Sequence, residues 1–535
     1  MSATTQTAGS ELQARLAAVL GREQVLTDPA SRDYFSRDLS YLPWERAALV
    51  VSPATTEELA EAVRLATAAG HAVIPRGGGM SYTRGYTPDS SRSVIVDMRR
   101  MDRVVEINTE DMYVTVECGC TWKKLYEALR EKDVRTPYYG PLSGMFATVG
   151  GALSQNSLFL GSGDNNTAAE SLLGLEVILG DGTLLRTGSW AHRHSNPFYR
   201  HFGPDVSGIF TADTGAFGFK ARATLRLIRR PAATFTMSFA FRTLRDLLGT
   251  QTEMARLRIA AECYGFDPYY NAAFEKSGFS FKQGVATLRG VARSGRTLAA
   301  GLGNALRVAR AGRTVLRGVP YSLHMTFEGH TPTIAAEKLL MAREICRHHH
   351  GTEIDNSLPT VFNATPFDGV GSVILGADGE IWLPVHGFMP LSRVQAVGAA
   401  IEQFFADNRE LMESHRIRTS YLTCFAGTEF VIEPSFYWYD EVQQFRLDKL
   451  EPDKRRQWQG RSPEPEARAV ALDLRDRLRQ LMDEHGCCHL QIGRYYPYRE
   501  MMNNEALWSL LGMLKEDLDP RGLVNPGSLG LEEDA

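Results

Sequence analysis

The chain has no apolar run of about 18 residues and no basic-then-apolar start, so neither a membrane-spanning helix nor a secretory leader is expected. It also lacks an excess of charge. The 59 Lys and Arg against 63 Asp and Glu leave a formal net charge of −4, which offers nothing to a nucleic acid. Cysteine is scarce and odd in number: the seven are Cys118, Cys120, Cys263, Cys346, Cys424, Cys487 and Cys488, as expected of a reduced, cytoplasmic protein. Neither close pair has a second pair at zinc spacing, and the run His348-His-His350 ends an apparent helix just before Gly351. Three consecutive helical residues point in three directions, so no metal is expected. The first ten residues are small and polar and read as a loose tail.

What the chain does have is glycine in clusters. Thr55-Thr-Glu-Glu58 is a capping box opening an amphipathic helix with Leu59, Ala62, Val63 and Ala66 on one face. A short apolar strand leads from it into Arg76-Gly-Gly-Gly-Met-Ser-Tyr82, and a second strand follows at Ser93 to Asp97. Successive glycines let main-chain N–H groups approach a ligand, so this loop reads as a nest for phosphate oxygens. It is not the G-x-G-x-x-G dinucleotide fingerprint, because no helix opens directly after it. A second cluster runs Thr136-Pro-Tyr-Tyr-Gly-Pro-Leu-Ser-Gly144, Thr148-Val-Gly-Gly-Ala-Leu-Ser-Gln-Asn156 and Leu160-Gly-Ser-Gly-Asp164. A third, Gly203 to Gly218, precedes an alternating strand from Phe219 to Ile228.

Taken in this order, the three clusters resemble the FAD-binding domain of the vanillyl-alcohol oxidase and para-cresol methylhydroxylase superfamily. The resemblance covers about Leu49 to Arg230, and Leu518-Asp-Pro-Arg-Gly-Leu-Val-Asn-Pro-Gly527 is similar to the family's closing stretch. It implies an α+β protein: a PCMH-type FAD-binding domain of two α/β subdomains plus an antiparallel-sheet cap over the flavin ring. The domains would be an N-terminal helical segment to residue 48, the FAD domain at 49–230, the cap at 231–491 and a returning segment at 492–535. By the same resemblance Pro75, Arg76, Gly77, Gly78, Gly79, Met80, Ser81 and Tyr82 would cradle the FAD pyrophosphate. Pro141, Ser143, Thr148, Gly150, Gly151, Asn156, Gly161 and Ser162 would line the flavin. Gly215, Gly218, Phe219 and Asn525 would continue the cleft. Family members that link flavin to a histidine in the first loop have it where this chain has Met80, and a thioether cannot make that bond, so FAD is expected to be held non-covalently.

The resemblance implies oxidation of an alcohol-type or para-alkylphenol carbon, with hydride passing to flavin N5 and then to oxygen or an electron carrier. The hydroxy-acid branch has a Gly-Glu-His-Gly run where this chain has Gln491 and Ile492, and the three histidines of the ether-lipid synthases are also missing there. An aromatic, phenolic substrate is therefore the first expectation; a D-2-hydroxy acid, or the non-redox alkylglycerone-phosphate synthase reaction, stands as the alternative. His386 and His489 are candidate bases, and Tyr437, Tyr439, Tyr496 and Arg494 candidate partners for a substrate oxygen. Each has a packing role as its alternative. Arg494 and the adjacent Tyr495 and Tyr496 are placed on a strand, where only one of the two rings could reach a ligand. From Lys276 to Phe327 there are nine Lys or Arg and no Asp or Glu, a pattern suited to anionic lipid or to another subunit of a homo-oligomer.

Overall fold

The computed structural model describes residues 3–277, 316, 318–368 and 374–531. The chain divides into two compact units: one gathers Met1–Ser157, Thr167–Arg230 and Leu490–Ala535, the other Leu158–Asn166 and Pro231–His489. The basic stretch within 276–327 falls mostly on 278–315 and lies outside the described residues.

The first unit begins with a helix, Ala3–Leu20, which reaches into the first ten residues, expected as a loose tail, of an N-terminal segment expected to be helical. Leu12, Leu16 and Leu20 recur at helical spacing and are buried with Leu59 and Val63 of the helix Thr56–Ala68. That second helix starts as its capping box dictates: the Thr55 hydroxyl accepts from Glu58 N at 3.1 Å, and the Glu58 carboxylate accepts from Ala54 N at 2.7 Å. The first sheet contains β1 (Val25–Leu26), β2 (Leu49–Val51), β3 (Ala72–Arg76) and β4 (Ser93–Asp97), in the order β1-β2-β4-β3. β4 pairs in parallel with both β2 and β3. Its strands are buried on both faces, which explains their continuous apolar runs. β3 and β4 are neighbours joined by the first glycine loop, which therefore sits at the carboxyl end of β3, where parallel sheets present ligand sites.

The rest of the unit carries β5 (Val104–Asn108), β6 (Tyr113–Glu117), β7 (Val134–Arg135), β8 (Leu172–Ile178), β9 (Leu184–Arg186), β10 (Phe219–Arg226) and β11 (Ile228–Arg229). Five of these form an antiparallel sheet in the order β5-β6-β10-β8-β9, and β11 pairs with β7. The first unit thus carries one largely parallel sheet and one antiparallel five-stranded sheet.

The second unit is one antiparallel sheet with helices. Its strands are β12 (Ala233–Phe241), β13 (Glu262–Phe266), β14 (Tyr321–Gly329), β15 (Thr352–Ile354), β16 (Ile381–Pro384), β17 (Gly387–Pro390), β18 (Arg418–Ala426) and β19 (Glu429–Trp438). Their order is β15-β12-β14-β13-β18-β19-β16, with β17 also on β19. Of these, β13 and β15 went unread in the sequence, because Glu262-Cys-Tyr-Gly-Phe266 and Thr352-Glu-Ile354 are too short to show a period. Leu158–Asn166, expected with the FAD domain, packs in this unit: the Phe159 ring lies 5.4 Å from that of Tyr264, and Gly163 N donates to Ala261 O at 3.0 Å. The histidine run ends the helix Pro332–His348, with His349 as C-cap and its Nε2 3.0 Å from Glu253.

Candidate functional site

The first glycine loop is built to take an anion. Among the described residues, the N–H groups of Gly77, Gly78, Gly79, Met80 and Ser81 find no protein acceptor. Five successive donors left open in a half-buried loop are costly without a partner, and phosphate oxygens are the partner such a nest accepts. The loop is held from below. A Cβ on Gly78 would overlap the Phe146 carbonyl, and one on Gly77 would overlap the Thr148 hydroxyl, so glycine is needed there because the second cluster fills the space. Gly79 has φ +69°, which also favours glycine. Tyr82 is buried, and Arg76 is buried and donates to the Arg37 carbonyl. Burial pushes the Arg76 guanidinium down to about 10, which leaves it cationic near neutral pH at the base of the loop.

The second cluster is equally ordered. Ala147 N donates to Ser143 O at 2.8 Å and Gly144 N to Pro141 O at 2.9 Å. Thr148 caps the helix Val149–Ser154, its hydroxyl accepting from Gly151 N at 3.2 Å, and Gly150 N donates to Cys118 O at 2.8 Å. Asn156 has φ 47° and accepts from Ala169 N at 3.1 Å. Gly161 and Ser162 belong to the second unit, where Gly161 (φ 81°) precedes the turn Ser162–Asn165. The third cluster turns through Ala212 (φ 55°), Thr214 (φ 50°) and Gly215 (φ 71°). Asn525 spans it, donating through Nδ2 to Gly85 O at 2.8 Å and Thr214 O at 2.7 Å. A Cβ on Gly215 would touch the Pro75 ring at 3.0 Å, so strand β3, the third cluster and the closing stretch meet. Beyond Gly218, Phe219 enters β10 and is buried, close to a buried Lys220–Asp213 pair at 2.7 Å. These residues fit FAD: the open amides match a diphosphate, which FMN lacks.

The six proposed catalytic side chains do not form one group. Arg494 is not on a strand and faces no opening: its guanidinium donates to Pro526 O at 2.8 Å, Arg84 O at 2.8 Å, Thr87 O at 2.6 Å and Asn525 Oδ1 at 3.1 Å, and pairs with Asp89 at 3.0 Å. It ties the closing stretch to the first glycine loop. Tyr496, also in a turn, is buried in the same unit against Tyr495. His386 and His489 lie 6.1 Å apart by ring centroid, beside Arg475 and Asp483 of the helix Pro465–Glu484. His489 binds His386 O through Nδ1 at 2.5 Å and Asp483 through Nε2. Burial, His489 and Arg475 hold the His386 imidazole well below its usual range, which makes it a weak base. Tyr439 lies past the end of β19, half-buried, 3.5 Å from Glu380 and within cation–π distance of Arg416 and Arg461. Tyr437 alone points to a distinctive place.

That place is one face of the second unit's sheet. The pairings His324↔Tyr264, Ser322↔Phe266, Leu422↔Phe266, Leu422↔Glu433 and Arg418↔Tyr437 put all these side chains on a common side. Tyr264, Phe266, Tyr270, Leu422, Cys424 and Val431 form a buried cluster there, with Leu158, Phe159, Phe362 and Phe388 against it. His324 sits among these rings with both nitrogens engaged, Nδ1 to Ser238 and Nε2 to Ser322, each at 2.9 Å. Ser322 donates its one proton to Asn271 Oδ1 at 2.7 Å, so it must accept from His324 Nε2–H, and Ser238 must donate to Nδ1. Burial pushes His324 down to about 3, so it is a neutral, locked ring and not a base. Burial keeps the Tyr437 phenol protonated, and Tyr270 likewise, with the Glu433 charge adding to the latter. Glu433 is half-buried on this face. The only cation among the described strand residues of the face is Arg418, at its edge and paired with Glu380 at 3.0 Å. Of this group only Tyr437, with Glu433 noted near it, was singled out from the sequence, because most of its members alternate singly with apolar residues across separate strands. Among the described residues no three His, Cys, Asp or Glu gather as a metal-ligand set.

The family described as "FAD binding domain" matches residues 47–188. Over 241 residues, 44% of this chain and 46% of the relative, the chain is 29% identical to a protein named probable D-lactate dehydrogenase, mitochondrial, of Danio rerio. It is 23% identical to glycolate oxidase subunit GlcD of Bacillus subtilis (strain 168), over 46% of this chain and 51% of that one. The chain thus spans about half the length of the curated relatives it matches. In fold it is similar along its length to p-cresol methylhydroxylase solved with substrate bound: TM-score 0.71, 14% identity, covering 99% of this chain and 98% of that one. The family match over residues 47–188, the amide nest and the three interlocked glycine clusters together identify an FAD-binding domain in a chain whose fold is similar to that of p-cresol methylhydroxylase, and its cofactor is FAD.

Proposed function

We propose that the protein is an FAD-dependent oxidoreductase acting on an alcohol-type or para-alkyl carbon of a small phenolic substrate. Gly77 to Ser81 would hold the diphosphate of FAD through their main-chain N–H groups. Bound flavin supplies the hydride acceptor, and oxygen or an electron carrier takes the electrons on. The substrate chemistry falls to the aromatic face of the second unit. Phe266, Phe362 and Phe388 pack the ring, Tyr437 and Tyr270 offer protonated phenols to its oxygen, and Glu433 Oε takes the hydroxyl proton as hydride leaves carbon.

The observation that carries the phenolic reading is the charge of that face. A carboxylate substrate needs a cation, and Arg418 is already engaged by Glu380 and by Asp378 at 3.4 Å. The second reading, a D-2-hydroxy acid, is favoured by the names of the Danio and Bacillus relatives, whose matches leave more than half of this chain uncompared. Anaerobic titration separates the two. Bleaching of the flavin by 4-ethylphenol or vanillyl alcohol, with D-lactate inert, is the expected result. Bleaching by D-lactate alone would transfer the assignment to hydroxy acids, and no bleaching by any donor would remove the redox reading.

A further inference from the structure

Three large aromatic side chains stand in solvent within five residues of the first unit: Phe198 is 55% exposed, Tyr199 49% and Phe202 51%. Single exposed apolar residues are ordinary, but three together mark a contact surface. The loop that carries them is braced. Ser189 N donates to Tyr199 O at 2.7 Å, and the Ser189 hydroxyl accepts from Phe198 N and Tyr199 N, each at 3.0 Å, while donating to Asn196 O at 2.7 Å. Arg200 is clamped by Asp205 at 2.8 Å and the Ala169 carbonyl at 2.6 Å. The rings continue each other around the tip, with Phe198 and Tyr199 6.3 Å apart, Tyr199 and His201 6.2 Å, and His192 edge-on to Phe202 at 5.3 Å. Their exposure is therefore held by the fold and is not the chance position of a slack loop.

The charge around the tip is net positive. From Ala191 to Asp205 the sequence holds Arg193, Arg200 and three histidines, His192, His194 and His201, against one acid, Asp205, which is paired with Arg200, so Arg193 carries the net charge. Against a second copy, a two-fold contact would set this net-cationic stretch opposite itself, which like charge disfavours. We infer that this tip is an interfacial anchor for an anionic lipid surface, with Phe198, Tyr199 and Phe202 entering the headgroup region while Arg193 meets the lipid phosphates. Tyr199, with its hydroxyl, suits that boundary, the two Phe rings suit its apolar side, and a net-cationic loop suits its charge. Among the described residues no helix is long and apolar enough to cross a membrane.

The test is co-sedimentation of the FAD-loaded protein with vesicles, at low ionic strength, of phosphatidylcholine alone and of phosphatidylcholine with 30% phosphatidylglycerol. Binding to the anionic vesicles only is expected. It should fall at least tenfold in Phe198→Ser/Phe202→Ser and severalfold in Arg193→Glu, with FAD content and Tm unchanged in both. Equal binding of wild type and double variant would overturn the inference, as would wild type that ignores anionic vesicles. So would a dimer in solution that the double variant turns into monomer, since the aromatic tip would then be a subunit contact.

Discussion

The carbonyl oxygen of Phe146 occupies the space that a side chain on Gly78 would need, so the first two glycine clusters are a single interlocked body. Gly78→Ala should therefore do more than block phosphate. Forcing a methyl into that contact costs about 1–3 kcal/mol by analogy with overpacked cores. The expected outcome is FAD content lowered at least tenfold and an apoprotein Tm lowered by several degrees. Full FAD occupancy, read as the flavin-to-protein absorbance ratio, would show that the loop can move away from Phe146.

Arg494 gives a prediction of the opposite kind to the one its sequence position suggests. Its guanidinium holds the carbonyls of Arg84, Thr87 and Pro526 while its own side chain is 6% exposed. Arg494→Met strands those buried acceptors, at a cost of about 2–4 kcal/mol. Tm and FAD retention should drop, while turnover per bound flavin stays within about twofold of wild type. A large loss in turnover at unchanged Tm would return Arg494 to the substrate site.

His324 makes stability depend on pH. Its folded pKa, pushed by burial down to about 3, lies below the usual value near 6.5, so between these two pH values the unfolded chain binds a proton that the folded one refuses. Stability from this group is complete above about 6.5 and declines as pH falls towards 3. At pH 4 the loss is about 3 kcal/mol. Urea unfolding at pH 7 and pH 4 should show His324→Gln losing less stability across that interval than wild type does. An identical drop in both proteins would mean His324 is not buried as a neutral ring.

Met80 stands where some family members have a flavin-linking histidine. FAD should then leave on acid precipitation, with the yellow colour in the supernatant and no fluorescence on the denatured band. Fluorescence that stays with the polypeptide would place a covalent link elsewhere in the chain.

The sequence by itself determined the cofactor half of this protein. Glycine at Gly77 to Gly79, Gly150, Gly151 and Gly215 falls in short clusters, and such clusters leave a local, ordered signature even though the groups that crowd Gly77, Gly78 and Gly215 come from distant segments at Thr148, Phe146 and Pro75. The long amphipathic elements of the second unit were legible for the same reason: Pro332–His348 and Pro465–Glu484 show a helical period, and β18 and β19 an extended one. Only tertiary structure decided which polar residues share a face. Ser238, Tyr264, His324 and Glu433 come from four strands, and register alone sets them side by side. The same holds for Arg494, whose partners at Arg84 and Thr87 are 410 and 407 residues away in sequence. A guanidinium looks the same in sequence whether it will meet a substrate or five protein oxygens, because what surrounds it is set by chain segments that local pattern does not connect.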